Sequence, residues 1–284
     1  MTRIVYVNGE YLPEDEAKIS VFDRGFLFAD GVYEVTSVMD GKLIDFEGHY
    51  ERLKRSMREL DMGPEVDRAD LLEIHRQLVE RNAVTEGLVY LQVTRGAPAM
   101  RDFVFPPEDT PLTMVLFTQL MSLTESPKAA KGIRVKTIPD QRWARCDIKT
   151  VQLLYPSLGK SRATKDGVDD AWMVADGEIT EGTSNNAYIV TKAGHIVTRP
   201  VGHDILNGIT RKAVLRMAEE AQMLVEERAV TVDEAKDATE ARDADDRHRP
   251  VTGIHGVELG DGTPGLIARR LREIYIEESL KTAL

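Results

Sequence analysis

The chain has 284 residues, of which 42% are hydrophobic and 30% charged, and its formal net charge is −11 at neutral pH. A chain of this size can bury one large core or two ordinary ones, but its acidic balance lacks the clustered Lys and Arg that nucleic acids require. A single cysteine, Cys146, excludes an intramolecular disulfide and a multi-cysteine metal site, and no apolar run reaches the roughly 18 residues of a membrane span. We therefore expect a cytoplasmic protein that acts on a small molecule, with neither nucleic acid nor membrane as a partner.

The N-terminal part of the chain alternates short β-type runs with turn signals. The runs, rich in Val, Ile and aromatic residues, lie at 4–7, 19–22 and 32–38. Asn8-Gly9 and Asp40-Gly41 are typical of tight β-hairpins, because their backbones readily adopt positive φ. We therefore expect antiparallel strands in this region.

The hydrophobic period changes after Asp45. Apolar residues then recur at steps of three and four until Gly63-Pro64, which predicts an amphipathic helix. A second helix is predicted at about 67–81, followed by strands at 88–94 and 112–117. This half of the chain therefore has the pattern of an α+β domain.

The segment 122–131 is polar, contains Pro127 and has no hydrophobic period, so it is the best candidate for a linker. Beyond it, strands are expected at 133–138, 146–154, 170–175 and 186–191, and helices near 157–166, 209–223 and 264–280. We therefore predict an α/β protein with an α+β N-terminal domain at 1–121, a linker at 122–131 and a β-rich α/β C-terminal domain at 132–284.

A charged stretch at 242–249 conflicts with a continuous core. From position 234 to Arg249 the chain contains no apolar residue larger than alanine. Blocks of charge usually face water, because burying an unpaired ionised group is costly. We expect residues 242–249 to form a solvent-exposed loop or to be disordered.

Lys149 is a candidate catalytic residue because it lies inside the largely apolar run 146–154. An ammonium group in a buried strand is costly unless it is paired or deprotonated. A lysine with a neutral amine is what Schiff-base chemistry with a carbonyl compound requires. The alternative is a lysine on an edge strand whose amine reaches water.

Two further segments carry groups that suit a polar ligand. Glu181 lies among small hydroxyl and amide residues in the segment 180–186, which follows a turn and precedes a strand. Thr210 follows Gly208 at the start of a predicted helix, where free N–H groups and the helix dipole form an anion site. Without a ligand, these features would be a polar hairpin loop and a plain helix cap.

Other signals are weaker or missing. Arg52 lies in the first predicted helix, where spacing does not decide between a surface cation and a phosphate ligand. The six histidines include no pair at metal-ligand spacing and no convincing Ser/His arrangement, which disfavours a metal site and serine-hydrolase chemistry. The dinucleotide motif GxGxxG and the P-loop motif GxxxxGK[ST] are absent from the sequence.

Taken together, the motifs resemble those of the fold-type IV pyridoxal-phosphate (PLP) aminotransferases, and most closely the D-amino acid aminotransferase branch. The residues that carry the resemblance keep the family's order and approximate spacing, and they lie at 23–26, 30–34, 92–96, 142–149, 180–185 and 208–211. The resemblance implies two α/β domains with PLP between them and a homodimer. It also implies transamination between a D-amino acid, or an R-primary amine, and a 2-oxo acid in two half-reactions.

The resemblance further implies roles for individual residues. Lys149 matches the Schiff-base lysine and 1,3-proton shuttle, whose burial would keep its amine neutral. Glu181 matches the carboxylate that faces the pyridine nitrogen. Arg52, Ile209 and Thr210 match the phosphate-binding positions, and no metal is implied.

On the substrate side, Tyr33 matches a tyrosine that faces the substrate, and Arg101 matches an arginine that binds the substrate carboxylate from a mobile loop. The branch usually has a histidine two residues after that arginine, where this chain has Phe103, which predicts a looser and more apolar carboxylate site. The family also has an apolar strand with adjacent Ser or Thr where this chain has the charged residues 242–249. Either the phosphate site is open there, or a local reading-frame shift restored near Pro250 has altered the segment.

Three other functions remain open at this point. A branched-chain amino acid aminotransferase would use the same cofactor and reaction with L-substrates. A lyase of the aminodeoxychorismate type would release pyruvate without needing an amino acceptor. A homologue that binds PLP without catalysis would follow from the atypical segment at 242–249.

Overall fold

The computed structural model describes residues 2–244 and 249–284. These residues form two compact units. The first unit contains the chain up to Ser122 together with Ile148–Gln152 and Ser279–Leu284, and the second contains Leu123–Asp147 and Leu153–Glu278. No helix in the described ranges is long and apolar enough to cross a membrane.

The first unit is built on an antiparallel sheet of six strands. Its strands are β1 (Ile4–Val7), β2 (Glu10–Pro13), β3 (Gly31–Met39), β4 (Lys42–Leu43), β5 (Glu86–Thr94) and β6 (Thr113–Leu120), in the order β2-β1-β6-β5-β3-β4. Its helices are α1 (Arg24–Phe28), α2 (Phe46–Glu59) and α3 (Arg68–Arg81). The predicted hairpin at Asn8-Gly9 is confirmed, and both residues adopt the positive φ, 48° and 102°, that suits a tight turn between β1 and β2.

The core of the first unit contains apolar residues of the sheet and of helices α2 and α3. Val89, Leu91 and Val93 alternate along β5 and therefore point to one face, where they share a cluster with Leu53 of α2 and Leu78 of α3. Both helices that the hydrophobic period predicts are confirmed. Their apolar stripes become stable because this cluster removes them from water.

The second unit is built on a mixed sheet of nine strands. Its strands are β7 (Ile133–Pro139), β8 (Asp170–Ala175), β9 (Glu178–Gly182), β10 (Asn186–Val190), β11 (Ile196–Thr198), β12 (Val225–Glu227), β13 (Glu240–Ala244), β14 (Pro250–Ile254) and β15 (Val257–Glu258). The order is β12-β11-β10-β13-β14-β7-β8-β9, with β15 paired to β14, and the pairs β11–β12, β14–β7 and β7–β8 are parallel. The remaining helices are α4 (Pro127–Lys131), α5 (Leu154–Lys165), α6 (Ile209–Glu220), α7 (Val232–Asp237) and α8 (Leu266–Thr282).

The run 146–154 is not the strand that its apolar residues predict. Thr150 makes a single isolated bridge to Val32, and α5 begins already at Leu154. The backbone of this run bonds to the start of β3 instead of extending a sheet, and such non-local pairing leaves no periodic signal. Ile148–Gln152 consequently groups with the first unit, whereas the division at 1–121, 122–131 and 132–284 remains a prediction.

The prediction of an exposed or disordered segment at 242–249 is wrong for its described residues. Arg242, Asp243 and Arg249 have exposed fractions of only 1%, 0% and 2%. The first part of the segment belongs to β13, which pairs with β10 on one side and with β14 on the other. Residues 245–248 lie outside the described residues.

Two of the buried charges of this segment, Asp243 and Arg249, pair with each other and with neighbouring groups. Trp172 Nε1 donates a hydrogen bond to Asp243 Oδ1 (2.9 Å). Arg249 Nη2 lies 3.4 Å from Asp243 Oδ2 and 3.3 Å from Asp170 Oδ2, and Lys160 Nζ lies 2.9 Å from the same Asp170 oxygen. Opposite charges at these distances offset the cost of desolvation, so a sequence of charges can occupy an inner strand.

Candidate active site

The backbone of Lys149 is held by elements of the first unit. The N–H of Tyr33 in β3 donates to the carbonyl of Lys149 (3.0 Å), and the N–H of Val151 donates to the carbonyl of Gly31 (3.0 Å). On the other side, the Lys149 N–H donates to Ser56 Oγ of α2 (3.4 Å). These contacts place the Lys149 backbone between the start of β3 and helix α2.

The side chain of Lys149 is only half-buried, which differs from the expected burial. Its Nζ lies 4.3 Å from the centroid of the Tyr33 ring. The negative face of an aromatic ring attracts a cationic side chain, so this contact limits where the amine can lie. Tyr33 in turn stacks on Tyr90 (5.6 Å between centroids), and burial raises the pKa of the Tyr90 hydroxyl.

Arg52 is buried in α2 and forms a two-pronged ion pair with Glu34 of β3. Arg52 Nε donates to Glu34 Oε1 (2.8 Å) and Nη2 to Oε2 (2.7 Å), and His49 Nδ1 lies 2.7 Å from Oε2. Burial by itself raises the pKa of Glu34, but the charge of Arg52 and the hydrogen bonds from Arg52 and His49 outweigh it and lower this pKa to about 2. The Arg52 guanidinium is therefore oriented by a permanent carboxylate next to Tyr33.

Glu181 of β9 is the centre of a second cluster, which lies in the second unit. Arg142 Nη1 donates to Glu181 Oε1, while Asn186 Nδ2 and the N–H of Leu206 donate to Oε2 at 3.0 and 3.1 Å. Donors on both carboxylate oxygens stabilise the ionised form and fix the plane of the carboxylate. Glu181 is therefore a buried acidic residue whose side chain is fixed by three donors, which a polar hairpin loop does not require.

Arg142 is itself held in place by Asp140. The guanidinium donates to both Asp140 oxygens, Nε to Oδ1 (2.9 Å) and Nη2 to Oδ2 (2.6 Å), and Thr180 Oγ1 donates to Oδ2 (2.7 Å). Burial lowers the pKa of Arg142, but the two carboxylates outweigh it and raise that pKa. Burial also raises the pKa of the neighbouring Cys146 to about 11, so its thiol stays protonated at neutral pH.

The N-terminus of α6 has the features of an anion site. Gly208 is its N-cap, no side chain among the described residues caps it, and its first turn contains no acidic residue. A Cβ at Gly208 would lie 2.3 Å from Asn186 Oδ1, so glycine allows the helix to begin against β10. Ile209 and Thr210 are the first helical residues and both are buried. Their N–H groups and the helix dipole favour a negative charge.

Asn185, next to Asn186, has a buried side chain with unused hydrogen-bonding capacity. Neither its Oδ1 nor its Nδ2 has a partner among the described residues. Buried amides are almost always hydrogen-bonded, so this group indicates a polar ligand at the Glu181 loop.

Arg101 lies on the connection between β5 and β6, in the first unit. Its guanidinium carbon lies 4.6 Å from the centroid of the Phe28 ring and 5.2 Å from that of Phe103. Within residues 2–244 and 249–284, no described contact joins Arg101 to Lys149.

The structure thus assembles the predicted residues into three clusters. Lys149, Tyr33 and Arg52 lie around the start of β3; Glu181, Ile209 and Thr210 lie around Asn186; and Arg101 lies apart from them within the first unit. The sequence reasoning missed four residues that orient these clusters. They are Glu34, His49, Arg142 and Asn186.

A signal for three of these four was present in the sequence. Glu34, Arg142 and Asn186 lie in or directly beside the motif stretches at 30–34, 142–149 and 180–185. A charged or amide residue next to a β-type run within such a motif is a candidate for a buried polar contact. His49 has no comparable signal, since a helical histidine usually faces water. As for metals, no group of three or more His, Cys, Asp or Glu in the described ranges could hold an ion.

Comparison with known proteins gives relatives that cover at least 95% of the chain. The pattern of the family described as amino-transferase class IV matches residues 31–242. D-alanine aminotransferase of Staphylococcus haemolyticus is 38% identical over 274 residues, which cover 95% of each chain. D-alanine aminotransferase of Bacillus licheniformis is 37% identical over 284 residues, with 98% of this chain and 99% of the relative covered.

Solved structures of the same kind share the fold. A branched-chain amino acid aminotransferase of Escherichia coli superposes with a TM-score of 0.88 at 21% identity, covering 98% of this chain and 95% of that chain. The PLP-bound form of a hypothetical aminotransferase from Mycobacterium tuberculosis gives a TM-score of 0.86 at 21% identity, covering 98% of this chain and 99% of that chain. The predicted family and its α/β fold are therefore confirmed. On the match to its family pattern and to these relatives, the chain belongs to the class IV aminotransferases and is a transaminase.

Proposed function

We propose that this transaminase moves amino groups between D-amino acids and 2-oxo acids. The observation that carries this proposal is the identity of 36–38% with D-alanine aminotransferases over 95% of the chain. Class IV aminotransferases use pyridoxal 5'-phosphate, so the cofactor of this enzyme is PLP. When bound, PLP supplies an electron sink that allows a proton to leave the α-carbon of an amino acid.

Residues of this chain fit a phosphorylated polar cofactor. The N-terminus of α6 offers Ile209 and Thr210 N–H groups to a phosphate, and the unpartnered Asn185 amide can bind a further polar group. Arg52, oriented by Glu34, supplies a positive charge. We assign the phosphate to Arg52, Ile209 and Thr210, without a Ser or Thr from β13.

Lys149 and Glu181 are assigned to the reaction itself. We propose that Lys149 would hold the cofactor through its amine and would be the residue that carries the proton in each half-reaction. The Tyr33 ring limits where the amine can lie, and Tyr33 is assigned to the substrate side. The Glu181 side chain, which accepts hydrogen bonds from three donors, is assigned to hold a proton on the pyridine nitrogen.

Arg101 is assigned to the substrate carboxylate. A guanidinium binds a carboxylate through two parallel N–H···O bonds, and among the described residues no acidic side chain forms an ion pair with Arg101. Phe103 replaces a second polar donor with an aromatic ring, so we propose a carboxylate site that also contacts apolar substrate groups.

We also propose a homodimer in the cytoplasm. The first unit exposes a set of large apolar side chains around α1 and the Arg101 connection, which meet where the Phe28 and Phe103 rings contact at 5.3 Å. They are Val21, Phe22, Phe26, Met100, Phe103 and Val104. Exposed apolar patches of this kind mark interaction sites. The single cysteine supports a reducing compartment.

A panel of half-reactions tests the proposed substrate class. The PLP form is mixed separately with D-alanine, D-glutamate, L-leucine and a chiral aryl-alkyl amine, and its absorbance is followed as the pyridoxamine form accumulates. We expect the two D-amino acids to react fastest. A faster reaction with L-leucine would contradict the proposal and favour a branched-chain aminotransferase. Pyruvate release without any amino acceptor would favour a lyase, and no reaction with any donor would favour a non-catalytic homologue.

A further inference from the structure

The Arg101 loop, residues 97–107 between β5 and β6, is attached to the first unit by alternating arginine and phenylalanine side chains. Arg95 lies 3.7 Å above the Phe105 ring, and Arg24 lies 5.6 Å from the same ring on the loop. Arg24 also lies 4.5 Å from the Phe28 ring of α1, whose centroid is 4.6 Å from the guanidinium of Arg101. Cations and rings therefore form a continuous stack that ends at the proposed substrate ligand.

Arg24 is the member of this stack that binds the loop backbone directly. Its Nη1 donates to the carbonyl of Asp102 (2.6 Å) and lies 3.4 Å from that of Val104. Its Nε donates to Asp30 Oδ2 (2.6 Å), which neutralises its charge, and its side chain is buried. A planar guanidinium can make these contacts and stack on a ring at the same time, whereas an ammonium cannot.

The loop itself supplies little to define its own conformation. Asp102, Phe103 and Val104 are exposed, and no helix or strand includes them. An exposed loop without regular hydrogen bonds samples many conformations unless side chains fix it. The guanidinium of Arg24 and the ring of Phe28 belong to α1, and both contact the loop.

We propose that Arg24 and Phe28 are positioning residues that hold the Arg101 loop so that the Arg101 guanidinium meets the substrate carboxylate. The loop is then a pre-ordered element and not the mobile one that the sequence suggests. The kinetic part of this inference rests on the proposed role of Arg101, whereas the ordering of the loop does not.

The first test measures loop order without any reaction. Chymotrypsin cleavage after Phe103 is followed by mass spectrometry in the full-length, PLP-loaded protein. Phe28→Leu keeps an apolar side chain but removes both cation–ring contacts, so we expect cleavage to accelerate roughly tenfold, as the loss of two such contacts predicts. Phe28→Tyr keeps the ring and should restore the parent rate. Tyr11→Leu is the matched control, because it removes a cation–ring contact of the same kind, with Arg81 at 4.5 Å, on β2 and away from the loop.

The second test separates loop order from substrate binding. For Phe28→Leu and Arg24→Lys we expect KM to rise roughly tenfold for D-alanine and its 2-oxo acid, with kcat nearly unchanged and with KM for a carboxylate-free R-amine unchanged. Phe28→Tyr should restore KM as it restores protection. A general loss of fold would raise KM for the amine as well.

The possible outcomes distinguish the inference from the proposed function. Unchanged cleavage in both Phe28→Leu and Arg24→Lys would overturn the inference, whatever the kinetics. Faster cleavage with a selective rise in KM for carboxylates supports it. A third outcome would be faster cleavage without a selective rise in KM for carboxylates, together with an Arg101→Ala variant that has the parent KM. That outcome would show that the loop is held as proposed but that Arg101 is not the carboxylate ligand.

Discussion

Arg142 donates a hydrogen bond to Oε1 of Glu181 while both oxygens of Asp140 hold the same guanidinium. The Glu181 side chain is thus oriented by the Arg142 guanidinium, whose own orientation is fixed by Asp140. The two carboxylates raise the pKa of Arg142, so its guanidinium is a lasting positive charge beside Glu181. This is the arrangement that a fixed partner for a protonated ring nitrogen requires, and it motivates the prediction for Glu181 below.

Replacing Lys149 by Ala should reduce turnover by roughly 10⁴-fold or more, because the variant lacks the proposed proton carrier. Non-covalent PLP binding should remain, since the groups at the start of α6 are untouched. Lys165→Ala, at the exposed end of α5, is the matched control and should keep parent activity. Borohydride reduction and peptide mapping should label Lys149, and a label on Lys160 or Lys165 would contradict the assignment.

Glu181→Gln should keep PLP bound but slow both half-reactions by roughly 100-fold, because a neutral amide no longer favours a proton on the ring nitrogen. The amide keeps only one acceptor oxygen, either for Arg142 or for Asn186 and the Leu206 N–H, so we expect the fold to persist with a lower unfolding free energy. Single-turnover absorbance measurements give the rate of each half-reaction in the variant and in the parent. A variant that reacts within a few-fold of the parent would remove Glu181 from the reaction.

Glu34 should make the stability of the protein depend on acid pH. Its pKa of about 2 in the folded protein lies below the ordinary value of 4.5, so its stabilising effect is complete above pH 4.5 and is lost as the pH falls towards 2. A shift of this size corresponds to roughly 3 kcal/mol of unfolding free energy. We therefore expect Glu34→Gln to lower the unfolding free energy at pH 7 far more than at pH 3.

Urea unfolding at both pH values measures this difference. Glu47→Gln is the control, because Glu47 also pairs with an arginine, Arg68, but on the surface. Equal losses for Glu34→Gln at pH 7 and pH 3 would show that the Glu34–Arg52 pair does not carry the pH dependence.

Arg101→Ala should raise KM for D-amino acids and 2-oxo acids by roughly 10- to 100-fold, because the variant loses the charge-assisted hydrogen bonds to the substrate carboxylate. KM for a carboxylate-free R-amine should change little. Steady-state kinetics measures KM for the carboxylate substrates and for the amine in both the parent and the variant. If both KM values rose together, Arg101 would act on the fold of its loop and not on the carboxylate.

Asp243→Ala should lower the unfolding free energy by about 3–5 kcal/mol, because it removes one of the carboxylates that face the buried Arg249. It also leaves Trp172 Nε1 without its acceptor. Asp237→Ala is the control: its pair with Lys192 is exposed, so the change should stay within about 0.5 kcal/mol. Urea unfolding tests both, and a small effect of Asp243→Ala would show that the charged strand is not held by this network.

The features that could be predicted from the sequence alone are those with a local signal. The period of three and four from Phe46 onward determined α2, because an apolar stripe at that spacing can be buried only on one face of a helix. Asn8-Gly9 determined a hairpin through its backbone preference. Lys149 and Glu181 were marked as unusual because a charged residue beside an apolar or β-type run needs a partner.

Other features could be known only from the tertiary structure, because they depend on contacts between residues that are distant in the sequence. Asp243 can lie in an inner strand because Trp172 and Arg249 contact its carboxylate, and composition gives no sign of such partners. Lys149 belongs with β3 because its backbone bonds to Tyr33, more than a hundred positions earlier in the chain. Hydrophobic period and turn preference are local properties, whereas the pairing of buried charges is decided by the neighbours that folding supplies.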